Sequence, residues 1–171
     1  MRFIKQAIIG IIGLSVVVTL FSLLLPSETH GRRGIVINAE PGMILTEIND
    51  FNNWKNWHPN FNSDSVPVKA TITKNSCDIE RSGKIDHYEI IASTDSSVIV
   101  LLQRKGENDI KHIFTLSKDA AGMGTYVDWK FISHLKWYPW EKFSGFFTES
   151  FTAPGMMLGL EKMKQHIEAS K

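Results

Sequence analysis

A chain of 171 residues with 43% hydrophobic content is long enough for one domain with a sizeable core. Its 19 basic and 18 acidic residues nearly cancel. Setting aside Arg2 and Lys5 at the amino terminus leaves a net charge of about −1, which excludes an electrostatic footprint for nucleic acid. The lone Cys77 excludes an internal disulfide, and its place in a predicted strand reads as a small buried apolar residue.

Ala7–Leu25 carries no charge and consists almost wholly of Ile, Leu, Val, Gly, Ala and Phe. As a helix, its roughly 19 residues at about 1.5 Å each reach about 28 Å, close to the hydrocarbon thickness of a bilayer. Nothing polar gives the segment an outer face, as a core helix would need. A cleaved signal peptide is the competing reading, since Arg2 and Lys5 make a basic start. Against it, the run exceeds the roughly 7–15 apolar residues usual there, and no A-x-A-like site precedes Pro26. The expectation is a basic head over 1–6, a retained single-pass anchor over 7–25, a polar connector over 26–31 and one domain over 32–171. Arg32 and Arg33 follow the span closely, so the positive-inside rule is nearly a tie. The shortness of the head favours an amino terminus in the cytoplasm and the domain outside.

Arg32–Asn38 alternates weakly and predicts the first strand. Pro41 then opens a short helix, where its missing N–H costs nothing, and Ile44, Ile48 and Phe51 recur at helical spacing. Asn52–Trp57 suggests a second helical turn, and Trp54, Trp57 and Pro59 close the segment as an aromatic plug. From about Ser65 the period becomes two. Val66, Val68, Ala70 and Ile72 share a face in the first run. Cys77, Ile79 and Arg81 do so in the next, ahead of a Ser82-Gly83 turn, and Tyr88, Ile90 and Ala92 in a third. Val98–Arg104 is apolar on both faces, the pattern of a central strand covered twice. Ile110, His112, Phe114 and Leu116 line a further strand, and Val127, Trp129 and Phe131 the last. Such a run of strands with short turns predicts a curved antiparallel meander.

Trp137–Trp140 makes an aromatic corner, followed by a phenylalanine-rich helical stretch over Glu141–Phe151. At Pro154 either a new helix begins, capped by Thr152, or a longer one is kinked. Met156, Leu160, Met163 and Ile167 then form one apolar stripe, with Glu161, Lys162, Lys164 and Glu168 facing outward.

Two stretches carry a family resemblance. Ile37–Pro59, INAEPGMILTEINDFNNWKNWHP, joins asparagine-alanine-x-proline to an apolar helix, aspartate-phenylalanine and a tryptophan-x-x-tryptophan pair. It resembles the opening of the SRPBCC superfamily, which holds START-like and polyketide cyclase/dehydrase-like helix-grip proteins. Gly159–Glu168, GLEKMKQHIE, resembles that superfamily's glycine-leucine-x-x-leucine-lysine ending. The resemblance runs from about Arg32 to Glu168. It implies an α+β helix-grip fold, with a curved antiparallel sheet of about seven strands around a long carboxy-terminal helix and a cavity between them. Its membrane-anchored bacterial members imply the inner membrane.

No catalytic motif stands out. His30, His58, His87, His112, His134 and His166 show no H-E-x-x-H or paired metal spacing, and no phosphate loop, C-x-x-C or G-x-S-x-G is present. No metal or cofactor is expected. Polar residues on inward faces are the candidates for a polar cavity end: Arg81, Tyr88 and His112. Each has a blander reading, as a guanidinium leaving at a strand end, a packing tyrosine and a hydrogen-bonded core histidine. Trp129, Phe131, Phe147 and Phe151 are candidates for an apolar lining. Met156, Leu160 and Met163 are the helical side of the same wall, where methionine suits an adaptable pocket. The Trp137–Trp140 corner either packs or rests at a membrane interface.

Three functions fit these residues. The first is membrane-anchored binding of a hydrophobic small molecule or lipid, favoured by an apolar wall with few polar groups. The second is a cyclase- or hydrolase-like enzyme in which Arg81, Tyr88 and His112 converge on a polar substrate. The third is an interaction module whose interior is filled by its own side chains.

Overall fold

The computed structural model describes residues 2–61, 69–81 and 83–170. Val66, Val68 and Ser82 of the expected strand and turn lie outside them.

Helix α1 (Arg2–Leu23) is long and apolar enough to cross a membrane, and almost none of its surface is covered by the rest of the chain. A signal sequence passes the same test of length and composition. Strand β1 (Glu28–Ile37) begins inside the segment expected as a connector, and Glu28 to Gly31 pair with His134 to Phe131. The signal was hidden because the inward positions there are Thr29 and Gly31, neither of them apolar in appearance. Gly31 is required: the Phe131 ring occupies the space a Cβ would take.

Helix α2 (Pro41–Ile48) opens with its proline and buries Ile44 and Ile48. Asp50 then caps the single turn α3 (Phe51–Trp54), accepting from the Asn52 N–H at 2.9 Å. The indoles of Trp54 and Trp57 donate to the carbonyls of Ile48 and Glu47, so the plug is anchored back on α2. Strands β2 (Lys69–Ile72), β3 (Ser76–Arg81), β4 (Lys84–Ser93), β5 (Ser97–Arg104), β6 (Ile110–Lys118) and β7 (Thr125–His134) follow as a meander. They form one antiparallel, curved sheet of seven strands in the order β1-β7-β6-β5-β4-β3-β2.

Strand β5 takes the middle position, as its composition suggests, but one face only is fully covered. Val98, Val100 and Leu102 are buried, while Ile99 and Leu101 on the other side keep partial exposure. The common face expected for Tyr88, Ile90 and Ala92 also breaks. The register shifts between Ile90 and Ala92, and Ala92 is exposed.

Helix α4 (Pro139–Ala169) is continuous through Pro154. The carbonyl that loses its partner there belongs to Ser150, an exposed residue, so solvent can satisfy it and no new cap is needed. Met156, Leu160, Met163 and Ile167 join Trp54, Trp57, Phe114 and Trp129 in the core. Gly159 permits the closest approach: a Cβ there would stand 3.1 Å from both Pro59 Cδ and Trp129 Cζ3. This fold is the helix-grip architecture that the resemblance implied.

Candidate functional site

Where α4 touches the plug at Gly159, the space between helix and sheet closes. On the other side of that contact lies a cavity of about 500 Å³. Its apolar wall comes from the inward faces of the central strands, with Leu102, Ile110, Trp129 and Phe131, and from Met156 on the helix. The mouth lies between the β5–β6 turn and the first half of α4, where Asn108, Glu141, Thr148 and Phe151 are found.

The inner end is polar. His58 follows α3, with its N–H donating to the Trp54 carbonyl at 2.7 Å and its ring stacked on the Trp54 indole at 4.8 Å. Its Nδ1 accepts from the Asn60 backbone N–H at 3.2 Å. Burial, and then the neighbouring His112 and Arg81, hold its pKa well below the ordinary imidazole value. His112 projects from β6, and its Nδ1 accepts from the Trp129 indole at 3.1 Å. Burial first, then the Arg104 charge, push its pKa down to about 4. Both rings are therefore neutral near pH 7. A neutral imidazole whose Nδ1 accepts must carry its hydrogen on Nε2. Among the described residues nothing accepts from either Nε2, so His58 and His112 each have one donor to offer the cavity.

Arg104 adds charge beside them. Its Nε and Nη2 donate to the two oxygens of the buried Asp86 at 2.7 and 3.2 Å, and Arg81 donates to the same carboxylate at 2.5 Å. Burial alone would push the Asp86 carboxyl up, but the bonds from Arg104 and Arg81 outweigh it and hold it below its usual range. Two guanidiniums thus share Asp86, and Arg104 also meets Glu107 of the cavity lining at 3.5 Å, so both cations are matched by carboxylates. At the mouth, Glu141 accepts from the Asn108 amide at 2.9 Å and from the Lys136 N–H at 2.8 Å.

Of the residues expected at this site, His112, Trp129, Phe131, Phe151 and Met156 line the cavity. The other five do not. Arg81 is drawn away to Asp86 and bears on the cavity only through its charge. Tyr88 is fully buried behind Asn60, whose amide donates to its hydroxyl at 3.1 Å. Leu160 and Met163 lie beyond the Gly159 contact and are core. Phe147 points away from the sheet into open space. Sequence reasoning passed over His58, Asn60 and Arg104. Arg104 shares parity with Val98, Val100 and Leu102, a signal that was present; His58 and Asn60 sit in an irregular turn that has no period to read.

Cys77 is buried in β3, and burial, with Asp78 nearby, pushes its thiol up to about 11, away from nucleophilic chemistry. Among the described residues no three His, Cys, Asp or Glu side chains gather to hold a metal ion.

Solved structures of the same architecture place the chain. A START superfamily protein from Mycobacterium smegmatis is similar, with a TM-score of 0.60 and 12% identity over 84% of this chain and 99% of that one. A protein of unknown function from Staphylococcus aureus has a TM-score of 0.64 and 15% identity over 84% and 95% of the two chains. A protein from Chromobacterium violaceum has a TM-score of 0.59 and 12% identity over 82% and 98%. No family model and no curated protein sequence matches the chain. These likenesses show that the chain has the START-like helix-grip fold.

Proposed function

We propose that the chain is a membrane-anchored protein that binds an amphipathic small molecule or lipid in the cavity between the sheet and α4. The observation that carries this reading is the pair of neutral histidines offering Nε2–H donors at the inner end of an otherwise apolar cavity. Its volume of about 500 Å³ suits a small ligand. Two donors fixed by Nδ1 bonds are matched by an oxygen acceptor such as a carboxylate, carbonyl or phosphate. In this reading α1 is the single-pass anchor of an inner-membrane protein, with the amino terminus in the cytoplasm and the domain outside.

The enzyme reading required Arg81, Tyr88 and His112 to converge with a histidine titrating near the working pH. Only His112 reaches the cavity, and its pKa of about 4 makes it a weak base. An interior filled by its own side chains is not compatible with the cavity. The test is a titration of the full chain, in lipid nanodiscs and with Trp137→Phe and Trp140→Phe, against a long-chain carboxylic acid brominated near its head. Saturable quenching of the emission left by Trp54, Trp57 and Trp129, competed by the unbrominated acid but not by an alkane of equal length, is the expected result. Quenching that stays linear and uncompeted contradicts the reading.

A further inference from the structure

Helix α4 buries one face along its whole length, but its outward face is aromatic before Pro154 and charged after it. At about 100° per residue, Met156, Leu160, Met163 and Ile167 share the side that packs on the sheet. Trp140, Phe143, Phe147 and Phe151 share the opposite side, and they are 67%, 45%, 58% and 82% exposed. Four large aromatic residues in one outward stripe are a patch that a water-surrounded domain has no reason to carry.

The position of α1 says what covers them. Trp137, Tyr138 and Trp140 share an apolar groove with Leu14 and Val18 of α1. Those positions lie about 8–14 Å along the helix axis before its end at Leu23. The tie is held by Lys142, a buried cation whose ammonium donates to the Leu25 and Pro26 carbonyls at 3.4 and 3.1 Å and to the Ser27 hydroxyl at 2.6 Å. Any bilayer that α1 spans must therefore reach the aromatic corner, and the stripe continues from that corner along the same surface.

We infer that the first half of α4 is embedded in the lipid leaflet at which α1 ends, with Phe143, Phe147 and Phe151 among the acyl chains. This rests on the reading of α1 as a retained anchor. Phe151 belongs both to the stripe and to the cavity mouth, so the mouth opens onto lipid. An amphipath crossing from the leaflet then meets His58 and His112 with its head and leaves its tail toward the bilayer. The chain draws its ligand from the membrane that holds it.

The experiment uses the full chain with Cys77→Ala, spin-labelled through Phe147→Cys or through Glu161→Cys on the outward face of the second half of α4. It is reconstituted in phosphatidylcholine–phosphatidylglycerol vesicles and floated after an alkaline carbonate wash. The label at position 147 should collide with oxygen several-fold more readily than with a water-soluble nickel chelate, and the label at 161 should show the reverse. In the otherwise unaltered chain, brominated phosphatidylcholine should quench tryptophan emission, and Trp137→Phe with Trp140→Phe should abolish that component. A floated chain whose label at 147 is as open to nickel as that at 161 overturns the inference and leaves the anchor standing. Dipolar broadening between labels at 147 overturns it in favour of a second copy covering the stripe. Release of the chain by carbonate overturns anchor and inference together.

Discussion

The Trp129 indole donates to Nδ1 of His112 across 3.1 Å, and this one bond decides which hydrogen the cavity meets. With Nδ1 occupied, a neutral ring must hold its proton on Nε2. Trp129 is itself held by stacking on Phe114, with ring centroids 5.0 Å apart, so the donor is fixed by the core. Trp129→Phe should release the tautomer and cost about 2–3 kcal/mol through the lost bond and lost volume. Nitrogen-15 shifts of the His112 ring at pH 7 check this: a single Nε2–H form in the native chain, a mixture in the variant.

Acid should act in two windows. His58 and His112 have folded pKa values below the unfolded value of about 6.5, so the unfolded chain takes up protons first as the pH falls. Stability is full above about pH 6.5 and declines toward pH 4, by roughly 2 kcal/mol once water in the cavity is allowed for. The Asp86 carboxyl is shifted in the opposite sense relative to charge, with its folded value below its unfolded one. Its contribution is present above about pH 4 and is lost as the pH falls through the folded value. Chemical denaturation at stepped pH should show the first decline shrink in His112→Gln and persist in Arg81→Met.

Removing the shared carboxylate should be worse than removing either partner. Asp86→Asn leaves Arg104 and Arg81 facing each other around a buried site and should cost about 3 kcal/mol. Arg81→Met, which leaves Arg104 paired, should cost about 1 kcal/mol. Urea midpoints of the two variants test the order.

Gly159→Leu should separate α4 from Pro59 and Trp129, because even a Cβ there meets both at 3.1 Å. A loss of about 3 kcal/mol is expected from forced repacking. Gly155→Ala, at a position with open space, should leave stability unchanged or slightly raised by helix propensity. Thermal melts of both variants distinguish a contact effect from a general intolerance of side chains in this helix.

A soluble form of the domain should begin at Leu25, earlier than the connector pattern suggests. Starting at Gly31 removes the Glu28 to His30 rungs that pair with β7, and it strips Lys142 of all three oxygen partners. The longer form should show a cooperative melt; the shorter should melt lower or not cooperatively, as circular dichroism would show.

Much of this was legible because period-two and helical spacing report burial directly. Cys77 and Ile79 of β3, the inward sets of β6 and β7 and the Met156–Ile167 stripe were readable residue by residue. What escaped had no apolar signature. Thr29 and Gly31 face inward without looking hydrophobic, so the start of β1 passed for a linker. Pro154 suggested a break because sequence does not show that Ser150, whose carbonyl is orphaned, is exposed. Arg81 was placed by strand parity alone, but the position of its guanidinium is set by Asp86, five residues away across a hairpin. At the site, His58 and Asn60 lie in a turn whose geometry follows from the Trp54 stack and the Tyr88 hydroxyl, contacts that no local pattern encodes.

The most direct measurement is native mass spectrometry of the full chain released from a mild detergent, followed by solvent extraction of whatever leaves it. The account predicts a reproducible added mass from an amphipath with an oxygen-bearing head, lost in Met156→Trp, which fills the cavity, and weakened in His112→Phe. A bare mass for the unaltered chain, under conditions where added lipids also fail to bind, would contradict it.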